Sequence, residues 1–260
     1  MNSSEVLIQL DAERRSIEEE GQVLEQLPNL TRSHSSDYTH HAVIYAKLSA
    51  NNADRIIAEQ KNHYRQRRLG FEWKVYGHDK PHDLLQRLER HGFSVGDLEA
   101  VMVYDLTEGA GWLSDDSETD SVVRVDRVDL ILDFRRVAEA VFQKNYEYTS
   151  NQLASGIATG SKQHCGYVAY SGLEPVSIGR LYTHPRSQFG GLFGGGTLSA
   201  YRGSGFYRAV VAARARDAIA MGAHYLIVDA LPTSRPILER LGFQRITDTW
   251  PCRLEFSSNE

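Results

Sequence analysis

Residues 197–209 read "TLSAYRGSGFYRA", with two glycines directly before a segment of helical periodicity. We predict a helix that begins near Ser204 and closes at Gly222, because glycine readily takes the left-handed conformation found at helix C-termini. The predicted buried face consists of apolar residues at helical spacing, namely Val211, Ala212, Ala215, Ala218 and Ile219. These signals place the start of the helix beside the glycines.

Gly203 and Gly205 have no Cβ atom, so a ligand can approach the backbone just before the predicted helix. The first N–H groups of a helix lack partners within it and carry the positive end of the helix dipole. Together these features predict a main-chain site for an anion. Arg202 adds a positive charge beside it, which suits a diphosphate better than a single carboxylate.

Other interpretations of the same glycines stay open. A turn that binds no ligand explains them equally well. A Rossmann dinucleotide site, and with it a nucleotide-binding oxidoreductase, needs a third small residue near the first turn of the helix. That place holds Arg208, although an acidic residue, Asp229, does end the next predicted strand. A P-loop is excluded, since no Gly-Lys-Ser/Thr follows the glycines.

The composition of the chain limits its class. Its 260 residues carry a net charge of −5 and give a pI near 6.1, so nucleic-acid binding is not predicted. Without a long apolar run or a leader pattern, we expect a cytoplasmic protein with no membrane partner. Cys165 and Cys252 lie far apart, so neither a metal site nor a disulfide framework is predicted. A homodimer stays open.

An acidic segment, "SDDSETDS" at 114–121, has no apolar periodicity and is predicted to be a linker. It divides an N-terminal domain, residues 1–113, from a C-terminal domain, residues 122–260. Patterns in the N-terminal part predict strands at 40–48, 71–77 and 99–106 and helices at 52–70 and 80–93, with Pro81 in the first turn of the second helix. Residues 1–37 suggest a helix whose end the pattern does not fix.

The C-terminal part alternates in a similar way. We predict a strand, two helices, three strands, the long helix described above, a strand, a short helix and a last strand. The segments concerned are 122–128, 132–146, 151–157, 164–170, 175–184, 191–198, 205–221, 224–230, 233–243 and 244–250. The chain is therefore predicted to be mixed α/β throughout.

Two separated motifs carry a resemblance to a known family. "TLSAYRGSGFYRAVV" at 197–211 and, after one strand, "SRPILERLGF" at 234–243 resemble the acetyl-CoA-binding core of the GCN5-related N-acetyltransferase (GNAT) superfamily. The resemblance covers residues 122–252 and implies a mixed central sheet flanked by helices. The smaller N-terminal part, with "FEWKVYGHD", resembles the degenerate GNAT-like half of two-part members.

The resemblance implies which residues hold acetyl-CoA, the expected co-substrate. Thr197 and Leu198 match the strand end that pairs with pantetheine, and Ser234 and Arg235 match the start of the short helix near the cofactor. The diphosphate loop corresponds to Arg202, Gly203, Ser204, Gly205, Phe206 and Tyr207.

The sequence departs from the family pattern at three places. Ala200 stands where the family often has Gln or Arg, and Leu238 stands where a tyrosine often protonates the leaving thiolate. The strand "GLFGGGTL" has no glutamate to act as base. Its glycines allow substrate to approach the strand, with N–H groups that polarise a thioester carbonyl, or they mark an ordinary bulge.

Strand ends supply the remaining catalytic candidates. Asp229 and His184 are possible bases, and Tyr182 is a possible acid. Each has an ordinary alternative: Asp229 as a turn former, His184 as a loop residue and Tyr182 as a half-buried aromatic.

The resulting hypothesis is an acyl-CoA-dependent N-acyltransferase that moves an acetyl group to a small-molecule or protein amine without a metal. A non-catalytic acyl-CoA-binding module is the alternative, because three family residues are replaced. The acceptor amine is not encoded in any recognised motif.

Overall fold

The computed structural model describes residues 1–35, 40–109 and 121–256. The chain forms two compact units: unit 1 comprises Met1–Met102, Asp229–Arg235 and Arg245–Glu260, and unit 2 comprises Val103–Val228 and Pro236–Gln244. Of the predicted linker at 114–121, only Ser121 lies within the described residues. No helix in the described ranges is both long enough and apolar enough to cross a membrane.

Unit 1 begins with a helix and a hairpin and continues with alternating strands and helices. Its elements are α1 (Ser3–Ser16), β1 (Gln22–Leu27), β2 (Leu30–Ser35), β3 (His41–Ala46), α2 (Ala53–Arg65), β4 (Phe71–Tyr76), α3 (Leu84–Arg90) and β5 (Ser94–Val95). The last strand, β12 (Gln244–Leu254), joins them from Arg245 onward. Strands run in the order β1-β2-β3-β4-β12, with β3 and β4 parallel and the other pairs antiparallel.

Alternation along β4 builds the core of unit 1. Phe71, Trp73 and Val75 all point to one face and are buried. Tyr64 of α2 stacks on Phe71 with ring centroids 4.1 Å apart. The strand predicted at 71–77 is confirmed, as are the strands predicted at 40–48 and 99–106.

Some boundaries in unit 1 differ from the sequence-based prediction. Helix α2 ends at Arg65, well before Gly70, and α3 begins at Leu84, after rather than at Pro81. The hairpin β1–β2 was not predicted. No residue of β1 is fully buried, so this strand carries no strong apolar signal in the sequence.

Unit 2 contains β7 (Val122–Arg124), α4 (Val128–Phe142), α5 (Glu147–Thr159), β8 (His164–Ser171), β9 (Glu174–Tyr182), β10 (Phe189–Thr197) and α6 (Phe206–Ala220). Three more elements are divided between the units: β6 (Glu99–Asp105), β11 (Tyr225–Ala230) and α7 (Arg235–Arg240). Strands β7 to β10 pair antiparallel in sequence order, whereas β10 pairs with β11 in parallel. The predicted mixed α/β class, with helices flanking a mixed sheet, is confirmed.

Helix α6 packs on the sheet of unit 2 with a face that was predicted almost correctly. Val211, Ala212, Ala215 and Ala218 are buried, but Ile219 is 46% exposed. A residue directly after a buried one is turned by about 100° around the helix, which takes Ile219 to the solvent side. The predicted C-terminal glycine, Gly222, has φ +86° as expected.

Candidate functional site

The two glycines before α6 have a backbone conformation that favours glycine. Gly203 has φ +82° and Gly205 has φ +86°, a left-handed region that residues with a side chain rarely adopt. A Cβ atom added to either glycine would meet nothing within 4 Å. Crowding therefore does not explain these glycines, whereas the backbone conformation and the open space in front of it do.

The helix itself begins at Phe206, with Gly205 as the N-cap residue. No side chain caps this end, and the Ala209 N–H donates to the Gly205 carbonyl at 3.0 Å. The preceding N–H groups of the first turn have no carbonyl to bind within the helix. Their dipoles favour a negative charge in front of the helix.

Arg202 lies on the surface beside these N–H groups. Its Nε donates to the Thr197 carbonyl at 3.3 Å, which ties the side chain back to the end of β10. A tethered guanidinium binds a phosphate-bearing ligand better than a freely moving guanidinium does, since less side-chain entropy is lost on binding.

The main chain at the predicted pantetheine position is already partly engaged. The Leu198 N–H donates to the Val176 carbonyl at 2.9 Å, and the Thr197 carbonyl accepts from Arg202. The buried Thr197 hydroxyl lies 2.7 Å from that of Ser177. Groups available to an extended ligand are therefore to be sought earlier on β10.

Strand β10 supplies such groups. Its described pairing with β11 covers Phe189, Gly190 and Gly191 only, although β10 continues to Thr197. Its pairing with β9 also shifts register between Phe193 and Gly196, the mark of a bulge. A strand edge without a neighbouring strand presents N–H and C=O groups to a ligand.

The glycines of β10 also have packing reasons. A Cβ atom on Gly196 would lie 2.7 Å from Val141 Cγ1, and one on Gly195 would lie 3.0 Å from Tyr207 Cε2. Neither contact is sterically possible without movement. The bulge predicted as one explanation of this glycine run is thus present, and the run also lets α4 and α6 lie close to the strand.

Tyr182 and His184 do not lie near the glycine loop. Tyr182 is opposite Gly191 on β10, whereas Thr197, next to the loop, is opposite Ser177. Six residues of strand separate these levels by about 20 Å. Tyr182 is buried with its ring 4.9 Å from that of His164. The Nδ1 atom of His184 accepts the Arg186 N–H at 3.1 Å.

Asp229 belongs to unit 1, where its carboxylate forms an ion pair with Lys74 of β4. Burial by itself would lower the pKa of Lys74, but the Asp229 carboxylate outweighs it and holds that pKa above its ordinary value. Burial raises the pKa of the nearby Glu99 carboxyl. This ion pair was not predicted from the sequence, because its members are 155 positions apart.

The remaining predicted residues lie around the start of α7. The Ser234 hydroxyl donates to the Leu231 carbonyl at 3.2 Å, so its proton is used within the turn. Arg235 is the first residue of α7. Leu238, in the place where the family often has a tyrosine, is fully buried. The described residues contain no group of three or more His, Cys, Asp or Glu side chains arranged to hold a metal ion.

No protein-family model and no curated protein matches the sequence. Solved structures do match the fold. A GCN5-related N-acetyltransferase from Kribbella flavida is 10% identical, with a TM-score of 0.65 over 98% of this chain and 95% of its own. A tandem GNAT protein from the clavulanic acid biosynthesis pathway is 11% identical, with a TM-score of 0.56 over 87% and 78%.

A third solved structure is a functionally unknown conserved protein from Staphylococcus epidermidis, 15% identical, with a TM-score of 0.64 over 91% of this chain and 95% of its own. Identities this low establish the fold and nothing finer. The chain has the fold found in GCN5-related N-acetyltransferases, as its loop and short-helix motifs predicted. The antiparallel pairs on either side of β9 differ from the parallel sheet of a Rossmann domain.

Proposed function

We propose that this protein is an acyl-CoA-dependent N-acyltransferase that transfers an acetyl group from acetyl-CoA to an amine. The observation that carries the proposal is the uncapped start of α6, with left-handed Gly203 and Gly205 facing open space. The fold shared with GCN5-related N-acetyltransferases supports it. Arg202 beside the loop supports a diphosphate-bearing ligand rather than one with a single carboxylate.

Each part of the proposed site has a distinct task. The N–H groups at the start of α6 would bind the diphosphate of the co-substrate. The unpaired edge of β10 would bind the extended pantetheine arm by main-chain hydrogen bonds, as an added strand does. N–H groups at the bulge between Phe193 and Gly196 would polarise the thioester carbonyl.

The chemistry asks little of a dedicated acid or base. A neutral amine attacks the carbonyl carbon, the C–S bond breaks, and the electron pair stays on sulfur. Because a thiol has a pKa of about 8.5, its thiolate is a good leaving group, so positioning supplies much of the rate. Asp229 would act as base only after release from Lys74.

The proposal extends to the organisation of the chain. We propose that residues 1–113 form a degenerate GNAT-like half and that residues 122–260 hold the acetyltransferase site. The fold match to a tandem GNAT protein supports this division. A cytoplasmic location, a small-molecule or protein amine as acceptor, and a homodimer are parts of the same proposal.

Two measurements test the proposal. Isothermal titration with CoA measures binding, and release of free thiol from acetyl-CoA with a panel of primary amines measures turnover. We expect micromolar binding and amine-dependent thiol release. The double variant Gly203→Val/Gly205→Val is the matched negative control. It places branched side chains at the two left-handed positions of the loop and changes no residue of the core. Absence of CoA binding by the folded wild-type protein would refute the proposal.

A second candidate, a non-catalytic acyl-CoA-binding module, is favoured by two observations. The Asp229 carboxylate is ion-paired with Lys74, and a buried leucine, Leu238, stands where the family often has a tyrosine. This module would bind CoA tightly but release no thiol with any amine. In such a module, Asp229→Ala would leave CoA binding unchanged, and there would be no thiol release to lose. In an enzyme that uses Asp229 as base, the same substitution would slow thiol release at least tenfold.

A further inference from the structure

Arg214 is a charged residue in the interior of unit 2. It lies in the middle of α6 and is 1% exposed, less than most leucines of the core. In the described part of the chain, no carboxylate forms an ion pair with it. A buried guanidinium without a counter-ion is costly, because it loses its hydration and gains no opposite charge. Its presence calls for a role that an apolar residue could not perform.

The guanidinium is bonded to the backbone at the level of the bulge in β10. Its Nη1 donates to the Arg180 carbonyl at 3.1 Å, and its Nε donates to the Val210 carbonyl at 3.1 Å. Arg180 is opposite Phe193, the last residue of β10 before the register shift. Arg214 therefore fixes β9 and α6 to each other where β10 leaves its regular pairing.

Two glycines make room for this side chain. A Cβ atom on Gly179 would lie 2.7 Å from Arg214 Cζ, and one on Gly195 would lie 3.4 Å from Arg214 Nη2. The first distance is shorter than any real contact, and the second leaves no slack for a larger side chain. Strands β9 and β10 thus each carry a glycine where the guanidinium comes closest.

Tyr207 forms a hydrogen bond with Arg214. Arginine has only donors, so the Tyr207 hydroxyl oxygen accepts, and its own proton must point elsewhere. In the described residues this proton has no other acceptor. The hydroxyl oxygen lies 3.6 Å from the Cβ position of Gly195, which places it at the bulged segment of β10.

The charge beside Tyr207 is permanent. Burial lowers the pKa of Arg214 below its ordinary value, yet an arginine remains protonated at any physiological pH. A fixed positive charge next to a phenol stabilises the phenolate that forms when the phenol gives up its proton. The pair is thus arranged so that the hydroxyl can donate and then carry a negative charge.

We propose that Tyr207 is the proton donor to the leaving sulfur of a thioester bound along β10, and that Arg214 is the positioning residue that aims its hydroxyl. This inference rests on the proposed acyltransferase function and names the acid that the buried Leu238 cannot supply. As the C–S bond breaks, the electron pair goes to sulfur and the Tyr207 proton follows it, giving a free thiol. The phenolate formed beside Arg214 recovers a proton from solvent, which takes up the proton released by the amine.

Four variants test the inference. Tyr207→Phe keeps the ring and its packing, so it isolates the hydroxyl. Arg214→Lys keeps the charge, Arg214→Met removes it at similar volume, and Arg216→Met removes the same charge from the next but one position of α6. For each variant, CoA affinity, kcat, KM for acetyl-CoA and the pH profile of kcat are measured.

The expected pattern separates chemistry from folding. Tyr207→Phe should lower kcat about 10-fold to 100-fold with CoA affinity changed less than about threefold. The KM for acetyl-CoA should also change less than about threefold, which separates a loss of chemistry from a loss of binding. Arg214→Met should lower kcat similarly, Arg214→Lys should recover part of the loss, and Arg216→Met should behave as wild type.

The failing outcomes are distinct. A wild-type protein that binds CoA but releases no thiol with any amine sinks the proposed function and this inference together. An active wild type with an equally active Tyr207→Phe, or a Tyr207→Phe variant that loses CoA affinity as much as kcat, overturns the inference alone. If Arg214→Met does not fold, Tyr207→Phe and Arg214→Lys still decide the matter.

Discussion

Among the helices that follow a strand in the described residues, α2 after β3 and α6 after β10 have first turns that are built differently. At α2 the Asn52 side chain accepts the Ser49 N–H at 2.7 Å, and the Ala53 N–H donates to the Ser49 carbonyl at 3.1 Å. At α6 the corresponding turn has glycines and no capping side chain. Neither start has a side-chain cap hydrogen bond, but the first turn of α2 contains an acidic residue, Asp54, and that of α6 contains none.

The contrast teaches that the position of a helix start in the fold does not make it a ligand site. Both starts carry the positive end of a helix dipole. At α2 the carboxylate of Asp54 already places a negative charge in the first turn, which disfavours a bound anion. At α6 the glycines before the helix are left-handed, and a Cβ atom added to either would face open space. The difference supports assigning CoA binding to α6 and a structural role to α2.

Of the substitutions that test this contrast, Gly205→Val should lower the affinity for CoA the most. At φ +86° a branched side chain costs at least about 1–2 kcal/mol of strain, and its methyl groups fill the space in front of the N–H groups. We expect CoA affinity to fall at least 100-fold by isothermal titration, with circular dichroism showing a folded protein. Unchanged affinity in a folded variant would contradict the assignment of the α6 start as the CoA site.

Arg202→Gln should have the next largest effect. It removes one charge beside the α6 start but keeps the length of the side chain, so CoA affinity should fall about tenfold. The loss should shrink at high salt, because the lost interaction is exposed and screened. Arg55→Gln, in the first turn of α2, is the matched control and should leave CoA affinity as it is. Equal effects of the two substitutions would erase the contrast.

Asn52→Ala should affect stability rather than binding. It removes the hydrogen bond from the Ser49 N–H, and we expect the free energy of unfolding to fall by about 1 kcal/mol in a urea titration. Asn52→Asp keeps the hydrogen-bond acceptor and should lower the free energy of unfolding less. CoA affinity should not change in either variant. A clear drop in CoA affinity on Asn52→Ala would mean that the α2 start binds the co-substrate after all.

The smallest expected effect is on the pH dependence of stability and comes from the C-terminal end of α2. Burial, helped by the charges of Arg32 and Arg67, lowers the pKa of His63 from 6.5 to about 4. The unfolded chain therefore binds more protons between these pH values, so stability must decrease as the pH falls from 6.5 toward 4. We expect this contribution to be about 1 kcal/mol or less, since solvent screens the partly exposed ring.

His63→Asn should flatten that dependence. Urea unfolding of both proteins at several pH values from 7 to 4 would measure it. If the two proteins lose stability in parallel over this range, His63 is not the group responsible.

Much of the fold and the loop was predictable from local patterns. Alternation predicted β4, the apolar stripe of α6 predicted most of its buried face, and the Gly-x-Gly before it located the start of the helix. The hairpin β1–β2 was not predicted, because its first strand buries no side chain completely. Ile219 was assigned to the wrong side, because a stripe read from sequence does not show where the sheet beneath the helix ends.

The candidate site divides in the same manner. The loop at Gly203 and Gly205 depends on neighbours in sequence, so its place before the helix could be predicted from the residues alone. The ion pair of Lys74 with Asp229, and the hydrogen bonds of Arg214 with Arg180 and Tyr207, join residues from different elements.

By itself the sequence determined the helix and strand periodicities and the open, glycine-lined start of α6. Those features follow from backbone sterics and from solvent exclusion acting over a few neighbouring residues. Only the tertiary structure decided that Asp229 is held by Lys74 and that Arg214 is buried against the bulge of β10. Electrostatic and hydrogen-bond partners depend on distance in space, and the spacing of residues along a chain does not specify that distance.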